Sequence, residues 1–201
     1  MAWGKATEKT LTGTSLDITT DQFTSSKFIQ LMEHAIRSSS TANGRWQFGD
    51  SGVIDTGSVY ASRRCIDGGS EITATSQTYI WFRGDADAFT VGHMINIATE
   101  EKLVMGFEIH NSTAGAGTAP NRQEWTGKWV ETTNQCDKIN ADNGGVNVLA
   151  ADSNLSVLGS DMTPVAATPF AENAQAGSRA EITDTRKMYH FESGVWTEEG
   201  T

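Results

Sequence analysis

The side chains of this chain best suited to chemistry are four histidines, two cysteines and 25 acidic residues. His34, His93, His110 and His190 fall in neither HxxxH nor HExxH spacing, so the sequence offers no zinc motif. His93 shares its strand positions with three aliphatics, a pattern more typical of a core or interface histidine than of a ligand. Cys65 and Cys136 form no CxxC and no Cys/His cluster. They read as two free, partly buried thiols rather than a disulfide. GxSxG, the strand-to-helix turn that exposes a nucleophilic serine, is absent. A catalytic carboxylate pair leaves no signature that separates it from other acids. No catalytic, metal-binding or cofactor-binding residue is assigned, no cofactor is expected, and the chain reads as a non-enzyme.

Two acidic clusters, Asp85-Ala86-Asp87 and Asn140 to Asn143, have oxygen ligands of the kind calcium takes. They lack EF-hand spacing, and Asp and Asn are ordinary turn formers. The glycine-rich segment Asn111 to Asn121 (NSTAGAGTAPN) lacks the lysine of a phosphate-binding loop and is followed by a strand, not a helix. It reads as a connection between strands, free to touch a partner at the end of a sandwich. Six tryptophans, Trp3, Trp46, Trp81, Trp125, Trp129 and Trp196, are the largest hydrophobic payload. Aromatic platforms can stack on sugars, but Trp125 and Trp129 stand at strand spacing and read as core or interface. Trp3 and Trp196, near the two ends, suggest termini tied down by packing.

Positioning these residues is a task for strands. Leu103, Met105, Phe107 and Ile109 alternate with Val104, Gly106, Glu108 and His110, the pattern of a half-buried strand. Val91, His93, Ile95 and Ile97 alternate just before it, and Thr99-Glu100-Glu101 is short enough only for an antiparallel hairpin. From Arg122 to Glu131, Trp125, Gly127 and Trp129 share one face. Arg122, Glu124, Thr126 and Lys128 share the other and belong in water. Weaker strands are read at Lys9 to Thr19, Ser58 to Ile66, Thr73 to Phe82, Asn154 to Leu158 and Lys187 to Trp196. Turns are read at Asn43-Gly44, Asp50-Ser51-Gly52, Asp67-Gly68-Gly69 and Asp142 to Gly145. In Ser26 to Arg37 a helical stripe of Phe28, Leu31, Met32, Ala35 and Ile36 fits the periodicity better than a strand face of Phe28, Gln30, Met32, His34 and Ile36, while the all-β neighbourhood favours the strand. The stretch from Thr163 to Gly177, with Pro164 and Pro169, reads as an extended arm. The expected fold is all-β: an antiparallel β-sandwich of jelly-roll or lectin-like type over residues 1–162. Residues 163–201 are expected as an arm plus a final strand packing on the sandwich or on a neighbouring subunit.

A formal net charge of −10 argues against nucleic acid and against anionic membrane surfaces as partners. The N-terminal Met-Ala-Trp-Gly-Lys-Ala has no basic start and apolar run, so no signal peptide is expected. No 18-residue apolar stretch is present, so no membrane span is expected.

Three stretches together resemble a set of poorly characterised virion-associated β-sandwich proteins of tailed phages and marine viruses. They are FGDSGVIDTGSVYASRRCIDGG (Phe48 to Gly69), EEKLVMGFEIHNSTAGAGTAPNRQEWTGKW (Glu100 to Trp129) and SNLSVLGSD (Ser153 to Asp161). The middle stretch is the more specific, and the resemblance covers roughly Gly44 to Asp161. It implies a β-sandwich component of the virion, assembled in the host cytoplasm, and it tips Ser26 to Arg37 towards strand. It carries over no catalytic or ligand-binding residue. The leading expectation is a capsid decoration or cement protein that contacts other virion proteins, major capsid or tail proteins, and forms a homo-oligomer, with a trimer as first guess. The alternatives are a tail fibre or receptor-binding module that recognises host-surface glycans, and a glycan hydrolase on a lectin-like sandwich. Trp3, Pro164, Pro169, Phe170 and Trp196 are the candidate interface residues.

Overall fold

The computed structural model describes residues 3–36, 44–81, 87–111, 113, 115–142, 144, 149–160, 179–182, 187–192 and 195–198. The chain divides into two compact units, Met1–Met162 and Thr163–Thr201. The first unit holds β1 (Trp3–Thr10), β2 (Asp17–Thr19), β3 (Phe28–Ala35), β4 (Arg45–Asp50), β5 (Val53–Ile54), β6 (Tyr60–Ile66) and β7 (Ile72–Gln77). It continues with β8 (Ile80–Trp81), β9 (Asp87–Ile95), β10 (Lys102–Asn111), β11 (Asn121–Trp129), β12 (Lys138–Asp142) and β13 (Asn154–Ser160). An eight-stranded sheet runs β1-β13-β3-β9-β10-β11-β6-β7. A five-stranded sheet runs β2-β12-β4-β5, with β8 also on β4. Every strand pairing in both is antiparallel. The fold is therefore an all-β antiparallel sandwich, and the described residues contain no helix.

Turn chemistry sets two of the hairpins. Ser51 and Gly52 take φ of 51° and 75°, and Asp67 and Gly68 take 49° and 74°. Two successive positive φ values make the tight turn whose twist matches the flanking strands, which is why Ser-Gly and Asp-Gly stand there. Tyr60 ties the layers. Its hydroxyl donates to the Phe48 carbonyl and accepts from the Phe48 amide, both at 2.9 Å.

The core lies between the sheets and is built on indoles. Trp46 of β4 meets Trp125 of β11 edge-on at 5.1 Å, and Trp129 stacks on Tyr60 at 6.4 Å and 14°. Trp46, Trp125 and Trp129 are 0%, 2% and 0% exposed, so the tryptophan face of β11 points inward as its alternation predicts. Lys128, on the opposite face, pairs with Glu101 at 2.9 Å in a half-exposed setting. Lys128→Ala is expected to change stability by no more than about 0.5 kcal/mol in urea unfolding, since such pairs contribute little.

On β10 the larger side chains face outward. Leu103, Met105, Phe107 and Ile109 are 50–55% exposed, whereas Lys102, Val104, Gly106, Glu108 and His110 face the core. The reason is volume. A Cβ on Gly106 would lie 2.3 Å from Cζ2 of Trp125, and one on Gly92 would lie 2.5 Å from Cζ3 of Trp46. The indoles fill the space above the middle of both strands, where only Gly92 and Gly106 fit inward, and the longer inward side chains Met94, Lys102, Glu108 and His110 stand to either side. His93 follows the same phase and is exposed, which excludes the core half of its reading as a core or interface histidine.

Other boundaries differ from the sequence expectation. Lys9 to Thr19 is not one strand: β1 ends at Thr10 and β2 begins at Asp17. Thr73 to Phe82 resolves into β7 and β8. Ser26 to Arg37 contains the strand β3, with Ile29, Leu31, Glu33 and Ala35 buried. The second unit carries a three-stranded antiparallel sheet of β14 (Arg179–Ile182), β15 (Lys187–Glu192) and β16 (Val195–Glu198). Lys187 to Trp196, expected as a single strand, is thus a hairpin. The stretch from Thr163 to Gly177, read as an extended arm, lies outside the described residues.

Candidate functional site

Two features of the eight-stranded sheet stand apart from ordinary core packing. One is a row of buried polar groups on its inner face, and the other is the apolar outer face.

The inner row follows from register. Glu33 of β3 pairs with Thr90 of β9, Thr90 with Glu108 of β10, and Glu108 with Gln123 of β11. Relative exposures are 2%, 1%, 0% and 0%. Glu33 Oε2 accepts from Trp46 Nε1 at 2.6 Å. Thr90 Oγ1 donates to Glu108 Oε2 at 3.3 Å, and Glu108 Oε1 lies 3.2 Å from His110 Nδ1. Asn121 Nδ2 lies 3.3 Å from His110 Nε2. Buried polar groups persist when they are hydrogen-bonded, as Glu33 is to Trp46 and Glu108 is to Thr90. Two acids stand two strands apart, roughly 10 Å at normal strand spacing. Both are shut away from solvent, so neither can reach a sugar oxygen in this conformation. The Thr90–Glu108 bond ties β9 to β10, and Glu33 ties β3 to Trp46 of the facing sheet.

At the other end of the same face, Lys102 is fully buried. Its Nζ donates to the carbonyls of Ala98 (3.2 Å), Glu100 (2.8 Å) and Glu131 (2.6 Å). Burial pushes its pKa below the ordinary lysine value, partly offset by the nearby Glu131. Asn96, also buried, donates to the carbonyls of Ser26 and Cys136 and accepts from the Cys136 amide at 2.7 Å. These groups close the end of the sandwich rather than open a site.

The outer face is different. Its side chains form a grid of four rows across β3, β9 and β10. The rows are Phe28-Ile95-Leu103, Gln30-His93-Met105, Met32-Val91-Phe107 and His34-Phe89-Ile109. None of the twelve positions carries Asp, Glu, Lys or Arg. Beyond β10 the neighbouring columns do: Arg122, Glu124 and Lys128 on β11 and Arg63 on β6; beyond β3 the column of β13 is uncharged (Asn154, Ser156, Leu158), and Lys5 and Glu8 follow on β1. Apolar patches of this extent with a polar rim mark interaction surfaces. A groove of about 720 Å³ crosses the first two rows, from Trp3 and Phe28 past Leu103 and Met105 to Thr73 and Thr75 on the far edge strand.

Of the candidate interface residues, Trp3 is 44% exposed on β1 and lines this groove. Pro164, Pro169 and Phe170 lie outside the described residues. Trp196 stands in β16, opposite Phe191 of β15. The grid was missed in the sequence because its strands were read singly; the signal was the run of large apolar residues in phase on two successive strands. Cys65 and Cys136 are both free, the first partly exposed and the second buried. Among the described residues, no group of three or more His, Cys, Asp or Glu side chains is placed to hold a metal ion. Asn140 is spent on Asp17 and Thr19, and Asp85 and Ala86 lie outside the described residues.

No family model matches the chain, and neither the curated proteins nor the solved structures provide a significant match.

Proposed function

We propose that this chain is a structural protein of a bacteriophage virion, a capsid decoration or cement protein that works by protein–protein contact. The observation that carries this reading is the outer grid: twelve positions without a formal charge, five of them large apolar side chains 43–55% exposed. Leaving that surface in water is costly, at about 25 cal/mol per Å² of apolar area, so the protein gains by covering it. The sequence resemblance of Phe48 to Gly69, Glu100 to Trp129 and Ser153 to Asp161 to virion-associated proteins supports the same role. The acids of the inner face, Glu33 and Glu108, are shut away from solvent, which suits a scaffold. Partners on this reading are other virion proteins and further copies of the chain.

The test is the number of copies per purified particle, measured by quantitative mass spectrometry. Hundreds of copies are expected for a decoration protein. A small multiple of three or six would move the protein to the tail, where a receptor-binding role on host glycans takes precedence. Its absence from particles would end the virion reading.

A further inference from the structure

We infer that the outer grid is an isologous interface, covered by the same face of a second copy of this chain about a two-fold axis that lies in the interface, parallel to the sheet and perpendicular to its strands. Three observations select this occupant.

The first is area. Phe89, Leu103, Met105, Phe107 and Ile109 are 43–55% exposed. Together they leave on the order of 500 Å² of apolar surface, judged from the size of such side chains. That is at the upper end for a monomer's largest patch and more than half of the roughly 800 Å² that each partner buries in a standard interface. The half-buried Phe28, Met32, Val91 and Ile95 add to it.

The second is shape. A two-fold axis in the interface plane, running along the rows through the centre of the grid, inverts the row order. Phe89 and Ile109 of one copy then lie over Ile95 and Leu103 of the other, and His34 over Phe28. The first row forms the floor of the groove, and the fourth carries the side chains that would fill it. The same exchange occurs twice, as closed two-fold symmetry requires.

The third is charge. The grid offers no ionic group with which to select an oppositely charged partner, and its rim carries both signs. The chain as a whole is at −10, so two copies repel at long range. Screening by salt should therefore tighten the pair, whereas a partner chosen by opposite charge would be released by salt.

This inference rests on the proposed assembly role only in taking the face to be functional. It is read on the isolated chain, so its failure is separate from failure of the virion reading. Sedimentation equilibrium is expected to give twice the chain mass, with tighter association at 0.5 M than at 0.05 M salt. Phe107→Glu and Met105→Lys, both at exposed positions, should keep the unfolding midpoint measured at dilutions where the chains are dissociated, and weaken association at least tenfold. Val53→Glu, which charges an exposed apolar residue of the other sheet, should leave the mass unchanged. A variant carrying Phe89→Cys and Ile95→Cys, with Cys65→Ser, should be joined into a covalent dimer by a short bis-maleimide, whose reach suits two sheets stacked about 10 Å apart. The two new thiols lie six residues apart on one strand, about 20 Å, so they cannot pair within a chain. A monomer or a trimer at high concentration, a pair indifferent to Phe107→Glu, or no covalent dimer would each overturn the assignment.

Discussion

Replacing Trp129 by alanine is expected to cost roughly 3–5 kcal/mol of folding stability, the range for deleting a large core aromatic. The ring is 0% exposed. It stacks on Tyr60, meets Phe48 at 6.1 Å, and lies 6.0 Å from the Lys102 ammonium. Its Nε1 donates to Asp55 Oδ2 at 3.1 Å, so truncation also leaves a carboxylate oxygen without its donor. The neighbouring positions cannot collapse into the hole easily, because Tyr60 is held by both backbone groups of Phe48. A urea titration reads the loss as a shift in midpoint at unchanged slope. An unmoved midpoint with loss of glycan binding would make the ring a sugar platform and displace the structural account.

The second large effect is alkaline. Cys136 is completely buried, and burial pushes its thiol from 9.0 up to about 12. Burial likewise raises Tyr60 above the ordinary tyrosine value of 10.0. In the unfolded chain both ionise at their ordinary values, while in the folded protein both keep their protons. Between pH 9 and 12 the unfolded state therefore binds fewer protons, and stability falls as pH rises. Each group contributes a slope of about 1.4 kcal/mol per pH unit once its unfolded form is ionised. Lys102 acts in the opposite sense. Its lowered pKa means the folded state releases a proton first, which adds stability as pH rises towards 10.5. One group opposes two, so a net loss above pH 10 is expected. Urea titrations at pH 8, 10 and 11 measure it. Cys136→Ala should start about 1 kcal/mol less stable from the small cavity, and then lose less on going alkaline. Parallel pH profiles for the two proteins would show that the thiol is not held neutral in the core.

How far the fold could be read in advance follows from which signals are local. Ser51-Gly52 and Asp67-Gly68 dictate their own φ values, so those turns were plain. The alternation of Trp125 and Trp129 with Arg122, Glu124 and Lys128 is local too, and it placed the indoles correctly. β10 shows the limit. Its apolar side chains point out because Trp46 and Trp125 occupy the inner volume above Gly92 and Gly106, and Trp46 comes from a different sheet. No window of sequence around Leu103 to Ile109 contains that fact. β4 and β12 were not read as strands. Each is only five or six residues long, although Trp46 and Phe48, and Ile139 and Ala141, do alternate. The row Glu33-Thr90-Glu108-Gln123 depends on register across four strands. So does the uncharged outer grid, and neither exists until the strands are paired.

The account stands on the outer face of the large sheet being covered when the protein assembles. Methionine oxidation measures this directly, with an internal standard on the neighbouring strand. Met105 is 53% exposed on the outer face, and Met94 is 2% exposed in the core. In the assembled protein, limited peroxide treatment followed by mass spectrometry is expected to oxidise Met105 nearly as slowly as Met94. In the Phe107→Glu variant Met105 should oxidise many times faster while Met94 stays slow. Rapid oxidation of Met105 in the assembled protein, at the rate of that variant, would contradict the account.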